Sequence, residues 1–192
     1  MKQIFRYLQG TLQHGLHLKK SSNLILVGFC DADWASDLDD RRSISGHYVF
    51  LGPNLISWQS KKQHIVSRSS IKVEYRSLAS LVAEITCLRS LLSELQLPLA
   101  KPLLVWCDNL SAVKLSTNPV LHVRTKHIEL DLYFVREKVI RKEVEVPHVP
   151  SADQLADVFT KTISSTQFIE FRHKLRIKNL STLSLRGDVR ED

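Results

Sequence analysis

The sequence predicts an α/β domain, a mixed sheet with helices on both faces. Three observations carry this reading. Short apolar runs of strand length alternate with longer segments whose apolar residues recur at spacings of three and four. The first three strand-like runs follow one another closely, as in an antiparallel meander, whereas the later ones are separated by helices. A chain of 192 residues that is 43% hydrophobic is large enough for one domain with a substantial core.

Residues 2–9 read as the last turns of a helix ending near Gly10. The run 24–30, "LILVGFC", is a strand. "ISGHYVFLG" (44–52) and "LISWQS" (55–60) are two more, joined at the turn Gly52-Pro53-Asn54. Ser69 and Ser70 offer N-caps for a long helix. Its buried stripe is Leu78, Leu81, Val82, Ile85, Leu88, Leu92 and Leu95, and Pro98 ends it. A strand at 103–107 leads into a short helix at 109–116. Residues 125–142 form another helix, with Ile128, Leu132, Val135 and Val139 on one face. A strand at 144–149, a capped helix at 151–161 and an amphipathic helix at 165–175 complete the series, before a charged, frayed tail ending "RGDVRED". The order is β-β-β-α-β-α-α-β-α, with no internal repeat and no low-complexity linker.

The formal charge of +7 favours a polyanionic partner without naming it. No apolar run approaches the roughly 20 residues of a membrane span. The polar start, "MKQIFRYLQG", is not a secretory signal. Three cysteines without a C-x-x-C pair point to a reducing compartment, against a disulfide framework or a structural zinc site. Cys30 and Cys107 read as buried free thiols, close together if their strands are neighbours.

Two of the apolar strands end in Cys-Asp, at Asp31 and Asp108. Sites in open α/β sheets form beyond the carboxyl ends of strands, so parallel neighbours would set these aspartates side by side. Glu74 lies four residues before Leu78 and continues the core-facing stripe; the alternative is a first-turn glutamate favoured by the helix dipole. Asp153 and Asp157 share a helical face, and either reaches inward. Four carboxylates in one crevice repel unless cations bind them. Oxygen donors select Mg²⁺ or Mn²⁺, and two such ions about 4 Å apart are a known device for phosphodiester displacement.

The segments "CDADWASDLDDRRSISGHYVFLGPNLISWQSKKQHIVSRSSIKVEYRSLA", "VWCDNLSAVKLSTNPVLHVRTKHIELDLYFVREKV" and "VPHVPSADQLADVFTK" closely resemble the ribonuclease H domain of copia-type retrotransposon Pol polyproteins, particularly plant ones. The resemblance covers residues 24–175. It implies the ribonuclease H-like fold, with a five-stranded sheet of three antiparallel strands followed by two parallel ones. It also implies metal-dependent cleavage of the RNA strand of an RNA–DNA hybrid during reverse transcription. The family's catalytic and metal-holding set falls on Asp31, Glu74, Asp108 and Asp157, which favours Asp157 over Asp153. Asp31 would bridge two Mg²⁺ (or Mn²⁺) ions, one activating water and the other stabilising the leaving 3′ oxygen. The implied partners are the hybrid and the reverse transcriptase domain of the parent polyprotein, with no membrane. The implied location is the cytoplasm, in a retrotransposon particle, or the nucleus. Residues 1–20 resemble a remnant of the segment joining the two domains, 21–176 the ribonuclease H-like domain, and 177–192 a disordered charged tail. A start at Met1 inside the joining segment suggests a truncated element copy. The alternative function is therefore an inactive remnant acting only as a folded nucleic-acid-binding or structural module. An integrase-like nuclease is disfavoured by the Asp-Glu-Asp-Asp order.

Further expectations concern the surroundings of the acids. Ser69, Ser70 and Asn109, beside catalytic positions, are candidate contacts to RNA 2′-hydroxyls. Arg124 and Lys126, in "HVRTKH", are candidate phosphate contacts, as are Arg41-Arg42 and the 61–64 cluster with Arg68; the alternative for each is solvated loop charge. His148 serves proton transfer or product release, or is an exposed loop histidine. Lys72 stands where relatives commonly carry a second acid, and it is expected to oppose metal near Glu74. Trp34 and Trp58 are assigned to the core. His127 and Asp131 read as a surface pair.

Overall fold

The computed structural model describes all residues except 1, 98, 100–101, 119–127 and 180–192. Its elements, in order, are α1 (Lys2–Thr11), β1 (His14–Leu16), β2 (Leu26–Asp33), β3 (Ile44–Leu51), β4 (Asn54–Lys62) and α2 (Ser70–Glu94). There follow β5 (Leu103–Cys107), α3 (Leu110–Thr117), α4 (Glu129–Ile140), β6 (Val144–Glu145), a 3₁₀ turn (Ser151–Asp153), α5 (Asp157–Thr160), α6 (Ser165–Lys174) and β7 (Ile177–Asn179).

The five-stranded sheet runs β4-β3-β2-β5-β6. The β2–β3 and β3–β4 pairs are antiparallel, and the β2–β5 and β5–β6 pairs parallel. This is the predicted mixed topology. Alternation along β2 and β5 divides the side chains between two faces. Leu26, Cys30, Leu103, Val105 and Cys107 pack under α2 with Leu78, Leu81, Val82 and Ile85, alongside residues of α3 and α4. Phe29, Tyr48, Phe50 and Leu55 face the other way, onto Ala156, Phe159 and Leu175. Helices therefore cover both faces.

Several local expectations change. β2 does not stop at Asp31: β3 continues to pair with it through Asp31↔Gly46 and Asp33↔Ile44, so the acids lie within the strand. The stripe on α2 holds from Leu78 to Leu92, but Leu95 is exposed. Leu95 caps a helix that ends in a Schellman motif: Gln96 is left-handed at φ 59°, Gln96 N–H donates to Ser93 O and Leu97 N–H to Leu92 O. The stop is thus made before Pro98, which lies outside the described residues. Ser69 sits at the N-cap of α2 without a side-chain capping bond. The expected 144–149 strand shortens to two residues, continued by an isolated bridge between Cys107 and His148. The expected helix at 151–161 is instead the 3₁₀ turn and the four-residue α5. Residues 177–179, expected in the tail, pair antiparallel with His14–Leu16. The start of the expected 125–142 helix lies outside the described residues; α4 carries its apolar face from Ile128 onward.

One glycine decides where α5 can lie. A Cβ on Gly46 would stand 2.7 Å from Phe159 Cβ and 3.0 Å from Thr160 Cγ2, so only glycine lets α5 rest against β3. We expect Gly46→Ala to destabilise the fold by about 1–3 kcal/mol through overpacking. It should also weaken any Mg²⁺-dependent rise in melting temperature, because α5 carries Asp157. Denaturant midpoints with and without Mg²⁺ check both effects; unchanged values would mean that α5 yields freely.

Candidate active site

Asp31 is 1% exposed, on the β2 face that meets α5. Its Oδ2 accepts from Thr160 Oγ1 and lies 3.5 Å from Lys161 Nζ. Neighbouring backbone is fixed by buried side chains: Ser77 Oγ donates to Asp31 O at 2.8 Å, and Gln154 Nε2 to Cys30 O at 2.9 Å. Gln154 Oε1 in turn accepts from Ala156 N–H at 3.2 Å, so one fully buried glutamine ties the start of α5 to β2. That tie delivers Asp157, at the first position of α5, to the end of the sheet.

Asp108 follows β5 directly. Its Oδ2 accepts from Ser151 Oγ at 3.1 Å, and its Oδ1 is buried without a hydrogen-bond partner. Glu74 comes from α2 and is 9% exposed, with Oε2 likewise buried and unpartnered. Asp157 Oδ1 accepts from Lys161 Nζ at 2.8 Å. One donor atom each from Asp31, Asp108 and Asp157 fall within 4.8 Å of one another, and so do those of Glu74, Cys107 and Asp108. Asp108 is common to both groups, and the four predicted acids meet around it. Asp153, the open alternative, is exposed in the 3₁₀ turn.

The electrostatics are those of crowded, dehydrated acids. Burial pushes Glu74 up to about 9, assisted by the charges of Asp31, Cys107 and Asp108 and opposed by Lys161. Burial also raises Asp157, against its hydrogen bond from Lys161. Asp33 is raised by burial and then by Asp31. Lys161 itself rises to about 12 despite burial, held by Asp157, Asp31 and Asp108.

Lys161 is the cation that the sequence reading missed. It opposes the rise of Glu74, as Lys72 was expected to oppose metal there. We expect Lys161→Met to melt about 2–4 °C lower in chelator, the loss of a partly exposed ion pair worth about 1 kcal/mol. The same variant should need less Mg²⁺ for half-maximal thermal stabilisation, since a competing cation has gone, whereas Lys72→Met should match the parent in both. Scanning fluorimetry across a Mg²⁺ series checks this; equal Mg²⁺ midpoints for parent and Lys161→Met would count against competition.

The remaining candidates separate by position. Asn109 caps α3, its Oδ1 accepting from Ala112 N–H at 3.0 Å. Ser69 is half-buried and Ser70 exposed at the start of α2. His148 is exposed, with Nε2 3.1 Å from Asp108 O. Arg124, Lys126 and His127 lie outside the described residues. Lys62, at the end of β4, pairs with Asp37 and Asp40, and Arg42 with Asp40, so these two cations already serve acids of the β2–β3 loop. Trp34 and Trp58 are 50% and 55% exposed, not core. The Trp34 indole N–H donates to Ser67 O at 2.8 Å, which anchors the ring at the surface. Cys30 and Cys107 are buried free thiols in register on adjacent strands, as expected.

A divalent cation fits this donor set. Among the described residues, two buried carboxylate oxygens lack partners, and burial and mutual repulsion hold Glu74 toward its neutral form. A bound cation would relieve both.

Mixed sheet, flanking helices and strand-end acids define an α/β domain of the ribonuclease H fold. Among solved structures, the N-terminal ribonuclease H domain from Mycobacterium tuberculosis, fused to maltose-binding protein, matches with a TM-score of 0.54 at 13% identity, over 71% of this chain and 91% of that one. LC11-RNase H1 in complex with RNA/DNA hybrid matches at 0.52 and 12% identity, over 70% and 93%. No family model matches. The homologues of this chain are retrovirus-related Pol polyproteins of copia-type plant transposons. It is 47% identical over 177 residues to that of transposon RE1 from Arabidopsis thaliana, and 37% identical over 168 residues to that of TNT 1-94 from Nicotiana tabacum. These alignments cover 92% and 88% of this chain but only 12% of each relative, so the chain spans about an eighth of their length.

Proposed function

We propose that the chain is the ribonuclease H segment of a copia-type Pol polyprotein and hydrolyses the RNA strand of RNA–DNA hybrids, with Asp31, Glu74, Asp108 and Asp157 as its metal-holding set. The observation that carries this is the meeting of four acids around Asp108, with two buried carboxylate oxygens left unpartnered, at the carboxyl ends of parallel neighbours β2 and β5. The fold supports the substrate class, since one structural neighbour is itself in complex with RNA/DNA hybrid. Two divalent ions, when bound, would supply Lewis acidity that lowers the pKa of water and offsets charge on the phosphodiester.

The rest is the work of the chain's own side chains. Thr160 and Lys161 fix the Asp31 carboxylate, and Ser151 fixes one oxygen of Asp108, leaving the other buried and free of hydrogen bonds among the described residues. Lys161 shields the acids from one another until a cation replaces it. His148, exposed and tethered at the Asp108 carbonyl, is placed to accept or return a proton at the rim. Ser69 and Ser70, at the start of the helix bearing Glu74, are suited to contact RNA 2′-hydroxyls. The reverse transcriptase domain of the same polyprotein is the natural partner: the foamy viral protease-reverse transcriptase, solved with RNA/DNA hybrid, contains a region matching this fold with a TM-score of 0.51 over 76% of this chain.

Purified protein incubated with labelled hybrid, duplex DNA and duplex RNA, in Mg²⁺ and then in Mn²⁺, tests the assignment. Cleavage confined to the hybrid is the expected result. Equal cutting of duplex DNA would overturn it, and no cutting in either ion would favour the inactive remnant.

A further inference from the structure

The proposed hydrolysis gives no role to the thiol of Cys107. This residue is fully buried and unoxidised, on the α2 side of β5. Its Sγ lies within 4.8 Å of a carboxylate oxygen from Glu74 and one from Asp108. Its hydrogen bond to Asn109 O is long, at 3.9 Å. Beside it, Glu74 is more than nine-tenths buried, and its Oε2 has no partner.

Chemically this trio differs from Asp31, Asp108 and Asp157, which offer oxygen alone. A thiolate is a soft donor and selects Zn²⁺ or Cd²⁺ over Mg²⁺. Zinc accepts mixed sulfur and carboxylate ligation with three protein donors and an open position. Donor atoms on one tetrahedral ion sit roughly 3.5 Å apart, so these three, already within 4.8 Å of one another, would draw together on binding. We propose that Glu74, Cys107 and Asp108 form a binding site for a thiophilic divalent ion, Zn²⁺ or Cd²⁺, overlapping the proposed hard-ion set at Glu74 and Asp108. On binding, the Cys107 S–H bond breaks, its proton passes to buffer and a sulfur–metal bond forms, with no change of oxidation state. Because Asp108 belongs to both sets, an ion held with Cys107 draws it away from Asp31 and Asp157. Thiophilic and hard ions therefore compete. If the chain is a ribonuclease, the soft ion inhibits it; the binding itself does not depend on that activity.

The test uses metal-free protein without nucleic acid, titrated with Cd²⁺ under a phosphine reductant, reading the ultraviolet thiolate-to-cadmium charge-transfer band. The band should saturate at one Cd²⁺ per chain. Cys87→Ser, which removes an exposed thiol on α2, should leave it unchanged, and Cys107→Ser should abolish it. Glu74→Gln should keep the band but weaken Cd²⁺ binding at least about tenfold. Excess Mg²⁺ should raise the apparent Cd²⁺ dissociation constant. A band that survives Cys107→Ser, or is lost with Cys87→Ser, overturns the proposal. Should Cys107→Ser fail to fold, the isosteric Glu74→Gln decides: unchanged Cd²⁺ affinity there also overturns it. Cd²⁺ binding indifferent to Mg²⁺ would refute the sharing of Asp108.

Discussion

At pH 8 in chelator, Glu74→Gln should melt above the parent by about 6–12 °C, on the order of 3 kcal/mol in a domain of this size. Glu74 is 9% exposed and pushed up to about 9 by burial, then by Asp31, Cys107 and Asp108. The folded state thus keeps a proton at Glu74 that the unfolded chain releases above its ordinary value near 4.5. Folded protein binds more protons than unfolded in that window, so stability falls as pH rises from about 4.5 toward 9. Glutamine resembles the protonated acid and removes the slope. The two proteins should melt together near pH 5 and diverge above it. Mg²⁺ should then reverse the order at pH 8, because an ion bound only by the folded parent stabilises it by mass action. Melting curves at several pH values check this. A constant difference between the proteins across pH would mean that Glu74 titrates as in water.

Asp31→Asn should lower hybrid cleavage at least about 10²-fold, comparable to the loss of a key electrostatic group in other enzymes. Asp31 belongs to the oxygen set and holds both Thr160 and Lys161. The asparagine keeps the shape and the Oδ acceptor for Thr160, so the melting temperature should change little while cleavage is lost. Rates under single-turnover conditions, with circular dichroism on the same samples, separate the two effects. Retained cleavage would remove Asp31 from the centre of the site.

Much of this site was legible because strand ends and helix stripes have fixed periods. Asp31 and Asp108 sit beyond apolar runs, and Glu74 occupies a position where an aliphatic residue belongs, so burial of an acid could be read directly. The choice between Asp153 and Asp157 was not legible from spacing. It assumed a regular helix at 151–161, where the chain forms a 3₁₀ turn and a four-residue helix held by Gln154. Thr160 and Lys161 were invisible for the same reason: their partner Asp31 is about 130 residues away, and only the approach permitted by Gly46 brings them together. The pairing of His14–Leu16 with Ile177–Asn179 involves strands too short to show any period. Tryptophan type alone misplaced Trp34, whose ring is half-exposed while its N–H is anchored at Ser67. The doubled Cys-Asp signal pointed to neighbouring strands, and Cys30 and Cys107 do stand in register. Only the folded geometry brings Cys107 beside Glu74.

Strand-resolved cleavage of a hybrid labelled differently on its RNA and DNA strands, with the new RNA ends identified, is the most direct test that these acids hydrolyse RNA through divalent ions. Fragments should come from RNA alone, appear only with Mg²⁺ or Mn²⁺, vanish with Asp31→Asn, and carry 3′-hydroxyl and 5′-phosphate ends. Fragments ending in a 2′,3′-cyclic phosphate, or formed equally in chelator, would show attack by the RNA's own 2′-hydroxyl and contradict the account.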